Sequence, residues 1–387
     1  VTLIDQGEPG RGASGGNGGQ LSYDFVAPLA DPSVWMKIPS LLLDPESPVQ
    51  IRFRPDPALM GWLFRFLMAC NRSSASRTTA TLLELAHTSR RLADEFFADG
   101  PLDTDYAVPG KLVVYRDQAS LQAARKQMEL QAALGSKQSC IGADECVAIE
   151  PALKRQANVL QGAIWTPTEA VVDTQKLCDV LMQKLQASPG FQTIRAQATG
   201  LLGAANIHGV RTSVGDLRAD ACIVAAGVGS RGLLEPLGIK VPLEPLKGYS
   251  LSIPVLDPTL APRVSITDSA RKIVYARLGS RLRVAGMAEL VGMDRRVEPR
   301  RVEHLLRNAQ ALFGPFGDFD AVAPWIGFRP ATPTGLPVVG ATRIRNLFLN
   351  IGHGGLGLTL SFVTAQAVAR AVMQQRGWAN PLDLKPA

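Results

Sequence analysis

Three times in this chain an apolar, strand-like run leads directly into a glycine-rich segment. VTLID (1–5) precedes GRGASGGNGGQ (10–20), ACIVA precedes AGVGS (221–230), and NLFLNI precedes GHGGLGLTLS (346–361). Junctions of this kind restrict the fold. Small residues at the carboxyl end of a strand let a nucleotide approach the backbone closely, and Ala225, Ala226 and Gly227 stand at such an end. Gly352, Gly354, Gly355 and Gly357 lie between a strand and a helix start, where peptide N–H groups and the positive helix end face a ligand. One such turn is common in α/β proteins; three in one chain point to a dinucleotide-binding fold. Asp5 fits the acid that ends the second strand of that fold and accepts the ribose hydroxyls, about 20 residues beyond a GxGxxG turn. On that spacing a strand, glycine turn and helix of roughly 25–30 residues are expected ahead of Val1, and the chain is expected to be truncated there.

Between these junctions, helices and strands alternate. PDPALMGWLFRFLMAC (55–70) reads as a helix with proline near its start, and residues 80–98 repeat apolar side chains at helical spacing. GKLVVYRD (110–117) reads as a strand, 118–135 as a helix closed by Gly135, and 173–187 as a helix capped by Asp173. Helices are also expected over 300–313 and 356–376. Alternation predicts a parallel, doubly wound sheet, and the strand-and-turn block at 241–296 predicts an antiparallel sheet inserted into it.

Composition excludes several classes. The chain has 387 residues, 46% hydrophobic and 19% charged, which suits a globular protein of two domains. No apolar run approaches the ~20 residues of a membrane-spanning helix, and no signal segment opens the chain. Five scattered cysteines without CxxC spacing suggest neither a disulfide framework nor a metal site, so a reducing, cytoplasmic location is expected. The net charge of +7 is dispersed among few aromatic residues, which argues against nucleic acid as a partner. LMGWLFRFLMAC (59–70) reads either as a core helix or as an amphipathic helix on a membrane surface.

The segments WIGFRPATPTGLPVVG (325–340) and NLFLNIGHGGLGLTLS resemble the C-terminal signature of the FAD-dependent D-amino-acid oxidase/dehydrogenase superfamily. RPDPALMGWLFRFLMACN, GKLVVYRD, LKGYSLSIP and SRLRVAGMAELVGMD resemble its bacterial D-amino-acid dehydrogenase branch, long called the small subunit. The likeness spans essentially the whole chain except the family's first strand–GxGxxG–helix unit. It implies a Rossmann-like FAD-binding domain, first strand and helix absent, over 1–45, 172–240 and 326–387. A substrate domain built on an antiparallel sheet would occupy 46–171 and 241–325.

The resemblance also implies roles. Arg329, in GFRP, matches the carboxylate-binding arginine; a guanidinium fork suits a carboxylate because it offers two parallel charge-assisted bonds. Carboxylate binding rests mainly on Arg329, since the GHGGLG turn has no arginine. Tyr249 and Tyr275 are candidates for hydroxyls beside the substrate, with a core role as the alternative. FAD contacts are expected from Asp5, from Ser14, Asn17 and Gly18, from Ala226 and Gly227, and from Gly352, His353, Gly354, Gly355 and Leu356. Glu244, Asp268 and Glu289 lie in the expected substrate sheet without an assignable role as base. The implied reaction is oxidation of a D-amino acid by hydride transfer to FAD, followed by hydrolysis to a 2-oxo acid and ammonia. Electrons would then pass to a quinone or another carrier, with peripheral contact at the inner face of the cell membrane. A related FAD amine dehydrogenase acting on D-hydroxyproline or an N-alkyl glycine, and a cofactor-free remnant, remain as alternatives.

Overall fold

A computed structural model describes residues 1–26, 28–35, 47–52 and 54–376 of the chain. Residues 36–45 and 377–387 of the expected cofactor domain lie outside the described residues.

The chain opens with strand β1 (Thr2–Asp5). Helix α1 (Pro57–Ala69) begins where the Asp56 side chain accepts the Ala58 N–H at 2.9 Å, with proline at a position that needs no donor. The long helix α2 (Arg72–Ala98) starts at Asn71, whose side chain accepts the Ser74 N–H. Strand β2 (Lys111–Tyr115) follows, then helix α3 (Thr174–Gln186), capped by Asp173 as its sequence indicates. Strands β3 (Gln192–Arg195), β4 (Cys222–Val224), β5 (Glu244–Pro254), β6 (Ile273–Leu278) and β7 (Arg281–Leu290) lead to helix α4 (Pro299–Phe313). Strands β8 (Ala323–Ala331) and β9 (Leu347–Ile351) and helix α5 (Gly357–Arg376) complete the order.

The parallel part of the fold is divided. β1 pairs with β3, Asp5 opposite Arg195. β4 pairs in parallel with β9, Cys222 opposite Leu347, and Val338–Ala341 closes that sheet antiparallel to β9. The expected single doubly wound sheet is thus two parallel pairs, which no strand joins among the described residues. Because β4 and β9 run parallel and in register, their carboxyl ends lie side by side, and so do the turns that follow them. Helix α5 packs Leu358, Leu360 and Val363 against Leu82, Leu83 and Ala86 of α2. Against the expectation that no apolar run approaches membrane-spanning length, the segment Gly354–Gln375 is long and apolar enough by length and composition, because this helix packs apolar side chains on α2.

The second layer is a nine-stranded sheet. Its path runs β8–β5–β7–β6, then Ser265–Asp268, β2, Gly162–Thr166 and Ser139–Ile141. It is mainly antiparallel, but Ser265–Asp268 runs parallel to β2 and Val49–Ile51 runs parallel to β7. β8 pairs with β5 along its whole length, so the expected domain boundary at 326 cuts a strand of this sheet. One face is covered by α4. Leu305, Ala309, Leu312 and Phe313 recur at helical spacing and pack on Tyr249, Leu251, Ile273, Tyr275 and Val284.

An ion pair stitches helix to sheet within that core. Arg301 Nε of α4 donates to Glu289 Oε1 of β7 at 2.8 Å, and both side chains are buried. Tyr249 Oη donates to the other Glu289 oxygen at 3.3 Å, and Arg301 Nη1 donates to the Ser47 carbonyl at 3.0 Å. Glu289→Ala leaves the guanidinium buried without its carboxylate. Chemical denaturation should show a loss of about 3–5 kcal/mol; a loss near the ~0–1 kcal/mol of a surface pair would contradict this account of the core.

Candidate active site

Side chains alternate across a strand, so Trp325, Gly327, Arg329 and Ala331 of β8 share one face. They lie opposite Ser250, Gly248, Leu246 and Glu244 of β5. This is the face away from α4. At one end α1 covers it: Trp62 packs on Leu246 and Ala331, and its Nε1 donates to the Ala331 carbonyl at 2.9 Å. At the other end the loop around residues 14–19 lies on it. Arg283 Nη1 donates to the carbonyls of Asn17 (2.9 Å) and Gly15 (3.4 Å) and holds the loop down.

Between these covers, Gly248 and Gly327 stand directly opposite each other. The Arg329 guanidinium lies across Gly248; a Cβ there would be 2.5 Å from Nη1 and 2.7 Å from Cζ. Nη1 donates to the Met287 carbonyl at 2.9 Å. Met287 has φ +65°, beside a register shift between β5 and β7. A bulge of this kind re-aims backbone groups, at a local cost of roughly 1–3 kcal/mol for the strained residue. Arg329 is half-buried, forms no ion pair with a carboxylate among the described residues, and has its pKa pulled down by burial. A desolvated guanidinium without a counter-charge is costly, so the site favours an incoming anion.

The glycine turns adjoin this face. Ala331 forms an antiparallel bridge with His353, and β8 contacts both the 227–229 and the 354–356 turns. Gly227 (φ +55°) and Gly354 (φ +54°) are left-handed, and open space lies where their Cβ atoms would be, as at Gly355. The nearby Asn350 Oδ1 is buried without a hydrogen-bond partner. These are features of a backbone cradle for a flat, polar ligand. His353 Nε2 lies 3.1 Å from Thr364 Oγ1, and burial lowers its pKa to about 4, so it is neutral at pH 7. Positive potential in the turn therefore comes from peptide N–H groups and the helix end.

Other expected residues are placed differently. Asp5 Oδ1 accepts the Gly7 N–H at 2.9 Å at the end of β1. Asn17 Oδ1 closes its own turn by accepting the Gly19 N–H, and Gly18 is fixed by packing, since its Cβ would meet Val274 and Ala285. Ser14 lies in the same loop beside Cys178 of α3. Tyr249 and Tyr275 do not line the Arg329 face. Both point into the α4 core, 1% and 0% exposed, and burial raises both hydroxyl pKa values. Tyr275 stacks edge-on to Phe313 at 5.2 Å, and its strand is three places from β8, about 14 Å at ordinary strand spacing. Gly248, Gly327, Trp325 and the Met287 carbonyl are the site features that sequence reasoning missed; Gly286 in RVAGMAEL was the visible trace of the bulge.

A parallel strand pair with paired glycine turns, set beside an unpaired arginine, is the scaffold of a nucleotide-dependent redox enzyme. Residues 1–371 match the family of FAD dependent oxidoreductases, and the chain belongs to it. It is 47% identical over 387 residues to D-amino acid dehydrogenase 2 of Ralstonia nicotianae, covering 97% of this chain and 91% of that protein. It is 43% identical to D-amino acid dehydrogenase 2 of Pseudomonas aeruginosa, covering 96% and 89%. Among solved structures, glycine oxidase from Geobacillus kaustophilus superimposes with a TM-score of 0.73 at 21% identity, covering 100% of this chain and 90% of that one. Iminodiacetate oxidase from Chelativorans gives 0.70 at 22%, covering 100% and 91%.

The open cradle at Gly227, Gly354 and Gly355 and the partnerless Asn350 oxygen fit the FAD that this family uses. Gly248→Ala forces the guanidinium off the sheet. Acetate binding to the FAD-loaded protein, read from flavin absorbance, should weaken by roughly tenfold or more; unchanged affinity would show that Arg329 does not depend on this floor.

Proposed function

We propose that the protein oxidises D-amino acids to 2-oxo acids and ammonia. The observation that carries this reading is Arg329, a half-buried guanidinium with no carboxylate partner among the described residues, two residues from the bridge to the 352–357 turn. The names of relatives at 41–47% identity, D-amino acid dehydrogenases, supply the stereochemical class.

Arg329 takes the substrate carboxylate through paired charge-assisted bonds while Met287 fixes the other side of the guanidinium. That contact orients the Cα–H bond and restricts the substrate to one approach. Asp5, Ala226, Gly227, Gly352, His353, Gly354, Gly355 and Leu356 hold the cofactor, with Ser14, Asn17 and Gly18 in the loop beside it. FAD, when bound, supplies the hydride acceptor. Peptide N–H groups of the 352–357 turn favour negative charge next to them.

No side-chain carboxylate is offered as a base. Glu244 accepts from Arg54 at 2.5 Å, Asp268 from Arg116 and Arg271, and Glu289 from Arg301. Each is engaged, so on this reading the substrate ammonium gives its proton to water on entry, and the lone pair of the neutral amine assists loss of hydride. Water then releases ammonia from the imino acid.

Electrons leave to a quinone or another carrier, with the protein peripheral on the membrane. The support is α1, whose Met60, Phe64 and Met68 form an exposed i, i+4, i+8 stripe at 46%, 66% and 63% exposure.

The test is a dye-coupled assay of the FAD-loaded protein with D- and L-alanine, together with Arg329→Lys. D-alanine should be oxidised and L-alanine should not. The substitution should lower kcat/KM by roughly 10- to 200-fold, the loss of about 1.5–3 kcal/mol from a charged hydrogen bond, with flavin content unchanged. Equal activity on both enantiomers, or parallel loss of flavin and activity, would overturn the proposal.

A further inference from the structure

We propose that Trp325 sets the length of substrate side chain that the site accepts; the inference rests on the amino-acid reading above. Its indole lies along β8 rather than across it. Gly16 packs on the near part of the ring: a Cβ there would be 2.1 Å from Cδ2 and 2.7 Å from Cγ. Gly327 lies under the far part: a Cβ there would be 1.9 Å from Cη2 and 2.6 Å from Cζ3. The benzo edge therefore points along the strand toward Arg329.

The two opposed glycines make this arrangement possible. Gly248 and Gly327 are cross-strand partners, and each leaves its Cβ space to one functional side chain. The guanidinium fills the space over Gly248 and the indole fills the space over Gly327. Opposed residues on antiparallel strands are about 4.5–5.5 Å apart at Cα, so roughly one strand spacing separates the carboxylate anchor from the benzo edge. An amino acid held by its carboxylate stands above these two neighbours, and its side chain reaches the benzo edge within a few bonds of Cα. A longer side chain meets the ring.

The wall is preformed. Indole has only two side-chain torsions, and the Gly16 loop clamps the ring against the sheet. Arg283 fixes that loop through the Gly15 and Asn17 carbonyls. Trp325 and Arg329 are both half-buried on a face otherwise covered at its two ends, which is where a small ligand has access. The wall is also apolar, so acidic side chains gain no partner from it. The substrate class is D-amino acids with small, uncharged side chains.

The experiment compares wild type with Trp325→Leu and with the more conservative Trp325→Phe, all FAD-loaded. The ratio of kcat/KM for D-phenylalanine to that for D-alanine should rise roughly tenfold or more in the leucine variant, within the range expected for enlarging an apolar pocket, and to an intermediate extent with phenylalanine. The ratio of Kd for acetate to Kd for 3-phenylpropionate, read from flavin absorbance, should rise in the same order without any turnover. Ratios unchanged within twofold, in whichever variant retains flavin, would overturn the assignment. If wild type oxidises no D-amino acid, the functional reading fails, and the carboxylate affinities still decide the role of Trp325.

Discussion

A half-buried guanidinium with no ion-pair partner among the described residues is the constraint around which this structure is organised. Arg329 sits on β8, the strand at one end of the nine-stranded sheet, and donates to a backbone carbonyl instead of a carboxylate. Three features make that position tenable. Gly248 lacks the Cβ that would displace the side chain. The irregular pairing at Met287 turns a carbonyl toward it. Glu244 and Glu289, on the neighbouring strands β5 and β7, are each paired with a different arginine, Arg54 and Arg301. On the proposed reading this is an anion site whose cost is met by the sheet and relieved by substrate.

The parallel strands supply the other half of the site by geometry alone. β4 and β9 end side by side, so the two glycine turns face the same space, and the bridge from Ala331 to His353 brings that space to the arginine. The backbone is open at Gly227, Gly354 and Gly355, where the proposed function places the cofactor, while glycines at 16 and 18 serve packing of the loop on Trp325, Val274 and Ala285. Glycine richness in one chain thus has two distinct causes.

Much of this was legible in the sequence, for local reasons. Helix α1 follows from Asp56 and Pro57, α3 from Asp173, and the turns from apolar runs ending in glycine. Arg329 drew attention through the motif around it, and the structure places it half-buried on the β8 face with its guanidinium over Gly248. What the sequence withheld depends on register. Tyr249 looked available until pairing put it on the α4 side, one residue away from the face that Gly248 occupies. A single step along a strand reverses the face, and a bulge on the neighbouring strand leaves no simple periodic trace. The boundary at 326 failed for a related reason: nothing local marks β8 as a partner of β5, which precedes it by some seventy residues. The split of the parallel layer into two pairs is likewise a property of tertiary pairing.

The most direct measurement is a crystal structure of the FAD-loaded protein with acetate bound. The account predicts both carboxylate oxygens on the Arg329 guanidinium, above Gly248, with the flavin beside the 352–357 turn. Acetate on another basic group, or an Arg329 side chain turned to bulk water with the flavin elsewhere, would contradict it.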